Sequence, residues 1–552
     1  MKTLYLIISI IATTFSGYAQ ITPVYVGPRA NIADDPVNGI YVSPSGNDSG
    51  ATGSIDKPFK SINAAIASAP SSAATIILRS GTYRENGEVR IRRSNITIKS
   101  KKGEWAHIDL PFPANPADQN DGKSAISFDP GVTGCKLQGI EVTGGFYAVC
   151  INTKWGWHGD DDYVAANNII IEDCKLHNSR YDVIKVKPNC DNITIRYNEI
   201  YNSGRAITGN QSTNGEGNAE GIDNVNGDNM LVQNNYIHDI VGNGVYAKGG
   251  ATDALIENNL LKNINGAGIM VGFDTNLEYM EDGSEGPGFD YYENIRGVAR
   301  NNLIINAGWE GIGLYASKDA EVYNNTVVNS VCGSLQYHSG LYFGVAPQDG
   351  QTGFGHPANV NPKIHHNIIN MWSNSNRPMI EIRYSLDNGG MSGFSGKPDM
   401  NNNCYYIAGK SAKFNDQRPG SLLNNAGLAA WKTHISGDNG SIEVNPSFDA
   451  DYMPSNSQCT GMGIQYPLRI NDQSGSNTPK VVLMEVFASI SDGILCLESQ
   501  FSEKVQGYSI IGTILFDFQK PEGRVNYMLN QPKGSIIIVK GSSGWTKKLI
   551  IK

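Results

Sequence analysis

The chain has 552 residues with a net charge of −9, 62 glycines and 8 cysteines. Its length allows a large core and more than one domain, and the acidic balance argues against a nucleic-acid partner. The cysteines are too sparse for a disulfide scaffold and form no CxxC pair, which argues against a thiolate zinc site.

MKTLYLIISIIATTFSGYAQ joins a basic start, an apolar run and small residues, so residues 1–20 read as a secretory signal peptide. No later apolar run is long enough to cross a bilayer, so no transmembrane segment is expected. The mature chain is expected as a monomer that is secreted, on the cell surface or in the periplasm. Next, IYVSPSGNDSGATGSIDKPFKSINAAIASA predicts a strand, a glycine-rich loop and a short helix with Ile62, Ala65 and Ile66 on one stripe. Such a helix would cap a stack of coils whose first strand is TIILRSGTYRE.

From residue 168 one phrase recurs, in NNIIIEDCKLHNS, DNITIRYNEIYNS, NMLVQNNYIHDI, DALIENNLLKNI, GVARNNLIINAG, DAEVYNNTVVNS and PKIHHNIINMW. Each copy sets two β-branched stretches around a polar corner. Aligning the corners places Asn at 198, 235, 259, 302, 325 and 367, with Cys174 one step earlier. The intervals are 37, 24, 43, 23 and 42 residues, which describe a coil of 23 to 24 residues with loops inserted in some turns. A single coil cannot bury its own apolar face, whereas stacked coils can, with Asn side chains bonded from turn to turn. The prediction is all-β: a right-handed parallel β-helix over 21–468, a linker over 469–480 and a small C-terminal β-sandwich over 481–552.

Period two in the second strand of each coil (DVIKVK, EGIDNV, NGVYAK, AGIMVG, EGIGLY) directs Ile184, Ile222, Val245, Ile269 and Ile312 inward. Lys185, Lys187, Asp223, Tyr246, Lys248, Met270 and Tyr315 then point to solvent, and Asp182 and Glu220 stack at the strand entrances. Insertions at 204–218 and 273–296 would wall this face. Crowded carboxylates are best explained by a hard cation, so Asp182, Glu220 and Asp223 are expected to ligate Ca²⁺. With those acids neutralised, Lys248 is the candidate base for abstraction of a uronate C5 proton. Tyr246, Trp309 and Tyr315 offer sugar-stacking faces; Lys185, Lys187, Arg296 and Arg300 are candidate contacts to an acidic polysaccharide.

The entry segment, with YVSPSG, KPF and GTY, resembles that of secreted β-helix polysaccharide lyases. The cluster is most similar to the calcium-dependent pectate/rhamnogalacturonan lyases of family 9. AEGID is similar to that family's Asn-Ala-Asp-Gly-Phe line, with Glu220 at its Asp and Asp223 nearby, Asp182 at the acid of the preceding coil and Lys248 at the base. Glu replaces Asp, and the family's run of paired aspartates is missing. Family 6 lyases share the calcium-plus-lysine logic but place an Arg where this chain has Met270. These resemblances imply a secreted lyase that cleaves a uronic-acid polymer by β-elimination. The tail, GSIIIVKGSSGWTKKLIIK, resembles Bacteroidetes C-terminal sorting domains, implying use of outer-membrane secretion machinery. Two other readings stay open. One is a glycoside hydrolase using Asp160, Asp161 and Asp162 of HGDDD; the other is a non-catalytic glycan-binding surface protein or adhesin.

Overall fold

The computed structural model describes residues 22–30, 33–111, 123–156, 160–204, 219–276, 279–280, 291–333, 338–346 and 356–471. Beyond these it describes 487–491, 494–499, 503–509, 514–520, 523–529, 531–532, 535–541 and 546–550. The signal peptide and most of the two expected wall insertions lie outside the described residues. The chain forms two compact units, Met1–Gln473 and Ser474–Lys552.

The larger unit is a parallel β-helix. Short strands stack into three sheets of 12, and nearly every neighbouring pair within them is parallel. The first sheet runs from Gly81–Tyr83 to Ile442–Glu443, the second from Val89–Ile91 to Leu423–Ala426, and the third from Ile40–Val42 to Asp399–Asn401. Inward residues of all three sheets form one continuous apolar core.

The corner between the third and first sheets explains the asparagine repeat. Asn198, Asn235, Asn259, Asn302, Asn325 and Asn367 each donate through backbone N–H and Nδ2 to the next Asn Oδ1, and the column ends on Asn403. Cys174 N–H starts it by donating to Asn198 Oδ1 at 2.9 Å. The residue before each ladder Asn is left-handed, as at Asn234, Asn258, Asn301 and Asn324 (φ 52–57°). Short polar side chains tolerate that conformation, and the ladder satisfies the turn amides it strands inside.

The predicted helix is Ile62–Ser68, capped by the Ser61 side chain, and it buries Ile62, Ala65 and Ile66 against the core. A second helix, Leu428–Ile435, was not foreseen; it buries Trp431 and Ile435 in the core beside the last coils. Its stretch LAAWKTHI is too short for a clear apolar period. The chain then packs Ile464 and Leu468 with Val26, Leu260, Leu303 and Val328, and Leu468–Ile470 pairs in parallel with Val24–Val26. Arg469 and Ile470, expected in the linker, are therefore strand residues, because their partner lies at the far end of the sequence.

The smaller unit consists of two antiparallel sheets of three and four strands around Leu495, Val505, Phe516, Ile537 and Val539, consistent with a small sandwich.

Candidate functional site

The site is a stretch of the second sheet's outer face. Its rungs are Ile184–Val186, Ile222–Val225, Val245–Lys248, Ile269–Val271, Ile312–Tyr315 and Leu341–Gly344. Lys185 pairs with Asp223, Asp223 with Tyr246, and Val225 with Lys248. Lys248 thus stands on the rung after Asp223 and two residues further along, the offset expected from the repeat.

Among the described residues, Asp182, Glu220 and Asp223 form the one group that brings three potential ligand atoms within 4.8 Å of one another. Glu220 N–H donates to Asp182 Oδ1 at 3.0 Å, and Asn243 Nδ2 donates to Glu220 Oε1 at 3.3 Å. Lys185 Nζ donates to Asp223 Oδ2 and lies 3.4 Å from Asp182 Oδ2. Asp182 Oδ2, Glu220 Oε2 and Asp223 Oδ1 are buried without a hydrogen bond among the described residues. Three convergent carboxylate oxygens without a hydrogen bond, one of them beside the Lys185 ammonium, suit a hard, oxygen-seeking cation.

The face points away from the core, but it is not solvated as the period-two reading expected. Asp182 and Asp223 are 0% exposed, Glu220 4%, Lys185 7% and Lys248 9%. Gly272, at φ +88°, turns the chain out of the coil, and a Cβ there would lie 1.9 Å from the Tyr315 carbonyl. The chain then folds back over the face. Phe273 stacks on Tyr246 with ring centroids 5.5 Å apart, and the Asp274 carbonyl accepts from Lys248 Nζ at 3.0 Å. The Tyr279 carbonyl accepts from Asn226 Nδ2. Inserted segments leave no mark in the alternation of their neighbours, so the cover was invisible to that reading.

Burial sets the electrostatics. It pushes the Glu220 carboxyl well above its ordinary value, and Asp182 adds to the push. Burial also works to raise Asp223, but Lys185 and Lys248 outweigh it and hold that carboxylate low. For Lys248 burial works downward, Asp223 works upward, and the net shift is upward. Lys185 is held well above its ordinary value by Asp223 and Asp182 against the same burial penalty.

Other expected contacts separate. Tyr246 is in the cluster, its ring 4.9 Å from Lys248 Nζ, while Lys187 lies 5.6 Å from the Tyr147 ring. Trp309 and Tyr315 belong to a second polar group further along the face. There Tyr315 OH donates to Glu310 Oε1 at 2.9 Å, and His338, stacked 4.7 Å from Trp309, places Nδ1 2.7 Å from Glu310 Oε2. Glu310 was overlooked although EGIGLY repeats the EGI of Glu220, the signal that it shares a strand-entrance column. Arg296 and Arg300 are not brought to this face. Arg296 pairs with Asp253 at a corner, and Arg300, on the third sheet, pairs with Glu257 and Tyr323. Asp160–Asp162 lie on a hairpin strand, Asp160–Ala165, paired with Thr153–Gly156, but their side chains are outside the described residues.

Residues 119–281 match the family described as "Right handed beta helix region", which gives the coil its hand. No curated protein matches the chain significantly. Among solved structures, the pectate lyase Pel9A is similar at 13% identity over 83% of this chain and 91% of its own, with a TM-score of 0.37. A rhamnogalacturonan lyase is similar at 14% identity over 62% and 84%, with a TM-score of 0.43. PfbA, a surface adhesin of Streptococcus pneumoniae, is similar at 12% identity over 63% and 87%, with a TM-score of 0.38. Likeness at this level extends to the winding of the backbone and no further.

Proposed function

We propose that this protein is a secreted, calcium-dependent lyase that cleaves a uronic-acid polysaccharide by β-elimination, with Lys248 as the base. The observation that carries the reading is the trio Asp182, Glu220 and Asp223, each with a buried oxygen lacking a hydrogen bond, with Asp223 one rung from a buried lysine. These three carboxylates would hold the ion, which when bound supplies positive charge for a uronate carboxylate and acidifies the adjacent C5–H. Lys248 takes the C5 proton, the C4–O bond breaks as a C4–C5 double bond forms, and the departing oxygen takes a proton from water and leaves as a hydroxyl. Sugar reaches the lysine by displacing the Phe273 ring, which stacks on Tyr246. Tyr246 and Lys185 line the reacting position, Lys187 flanks it beside Tyr147, and Trp309 and Tyr315 serve sugars further along the face.

One observation favours a second reading. The Lys185 ammonium already touches Asp223 and lies near Asp182, so it is a built-in counter-ion for a metal-free, non-catalytic glycan-binding wall. Incubation with pectic, alginate and glycosaminoglycan uronates, with calcium or with chelator, separates the two. The lyase yields an ultraviolet-absorbing unsaturated product only with calcium. Absence of that product with every polymer favours the wall, and reducing ends without absorbance would favour hydrolysis.

A further inference from the structure

We propose that Glu293 and His356 form a buried positioning pair for Lys248, in which one carboxylate ties the peptide that carries the lysine to the turn that receives its ammonium. The proposal rests on the reading of Lys248 as the base. Neither residue carries a repeat signal: Glu293 sits just ahead of the short strand Asn294–Ile295, and His356 arrives from a segment more than 60 residues later.

Glu293 is fully buried, and its Oε2 accepts two hydrogen bonds. One comes from Gly249 N–H at 2.7 Å, the other from Thr275 Oγ1 at 2.8 Å. Gly249 follows Lys248. Thr275 follows Asp274, whose carbonyl accepts from Lys248 Nζ at 3.0 Å. The lysine backbone and its terminal acceptor are therefore fixed to the same oxygen atom, and neither can shift without breaking a bond to it.

The other carboxylate oxygen shows what keeps Glu293 in place. His356 Nδ1 lies 2.9 Å from the Ala346 carbonyl, which only accepts, so Nδ1 carries a proton. His356 Nε2 lies 2.7 Å from Glu293 Oε1. Neither atom has an aligned hydrogen bond among the described residues, so a bare Nε2 would leave the buried Oε1 charge against a neutral nitrogen with nothing to offset it. A second proton removes that conflict, so the pair is an imidazolium and a carboxylate. Burial works to lower the His356 imidazole, but Glu293, helped by Asp274, holds it above its ordinary value. Burial likewise works to raise Glu293, and His356 and Lys248 keep it low.

The test uses the full-length protein. Glu293→Ala removes the clamp. It should lower kcat about 100-fold, the scale of a roughly 1 Å misplacement of a reacting group, with KM changed by less than about threefold. Amide exchange at Gly249 and across 273–276 should accelerate at least about tenfold, the scale of a lost hydrogen bond. Glu293→Gln can keep all three contacts with a neutral His356, its amide donating to Nε2. It should retain most of kcat and lose the alkaline decline in rate that marks loss of the imidazolium proton. Wild-type kcat and exchange in Glu293→Ala would overturn the proposal, as would a Glu293→Gln variant as impaired as Glu293→Ala. Should the alanine variant fail to fold, Glu293→Gln together with His356→Gln, which strips Glu293 of its cation and should speed exchange at Gly249, decides the matter. If the wild-type protein cleaves no uronate, the reading of Lys248 as a base fails while the exchange measurements still decide whether the clamp exists.

Discussion

Replacing Lys185 by Met tests whether the carboxylate trio is a cation site. The substitution keeps the length and packing of the side chain and removes only the ammonium, which hydrogen-bonds Asp223 and stands 3.4 Å from Asp182 Oδ2. Both carboxylates are fully buried, so they lose their nearest compensation where water does not replace it. Breaking such a pair costs about 3–5 kcal/mol. A bound divalent ion returns part of that, about 2.7 kcal/mol at a free concentration of 100 times its Kd. The assay is urea unfolding of wild type and variant, each with calcium and with chelator. The variant should lose several kcal/mol in chelator and regain more on calcium addition than wild type does, since the trio then has no internal cation. A variant as stable as wild type in chelator, or one indifferent to calcium, would refute the trio as a cation site.

Lys248→Ala should leave the fold intact and lower turnover by about 10²–10⁴-fold, the usual contribution of a general base, as read by product absorbance. Asn302→Ala removes the acceptor for Asn259 N–H and the donor to the Ile256 carbonyl, all buried. At about 1–3 kcal/mol for each of these two stranded groups, unfolding in denaturant should show a loss of roughly 2–6 kcal/mol. The Glu220 carboxyl keeps its proton above its ordinary 4.5 in the folded protein, so without calcium, stability should fall as pH rises from that value through the folded one. Calcium must displace that proton; calorimetry in buffers of different ionisation enthalpy should show release of about one proton per ion below the folded value, and none if Glu220 is not a ligand.

The stack was legible because its constraints are local and repeated. From residue 198 to 367 coil after coil turns its corner through a left-handed residue followed by Asn, and most inward positions are apolar, so both patterns recur along the chain. The same register brings Asp182, Glu220, Asp223 and Lys248 onto successive rungs of one face. What the sequence left hidden depends on single long-range contacts. The cover from Phe273 and Asp274, the return of Leu468–Ile470 to Val24–Val26 and the meeting of His356 with Glu293 each happen once. Arg300 illustrates the opposite error: it lies close in sequence to the site rungs, but its strand belongs to another sheet.

The burial that contradicts a solvated face also bears on the chemistry of Lys248. Sealing charged groups under a loop costs several kcal/mol per ion unless partners compensate. Other charges on this face have direct partners: Lys185 has Asp223, and Glu310 has His338 Nδ1 at 2.7 Å. Lys248 differs, since among the described residues its ammonium has a carbonyl for a hydrogen-bond partner and no carboxylate within ion-pair distance. Two opposed influences set its proton affinity. Burial drives it down, and the Asp223 carboxylate, acting from the next rung, is the largest influence driving it up. Any cation that neutralises Asp223 removes the largest upward influence and leaves burial opposed by the weaker pull of Asp274 and Glu293. On the proposed reading of Lys248 as a base, the covered face helps, because the same exclusion of water that makes its charge costly shifts the balance toward its neutral form once Asp223 is neutralised.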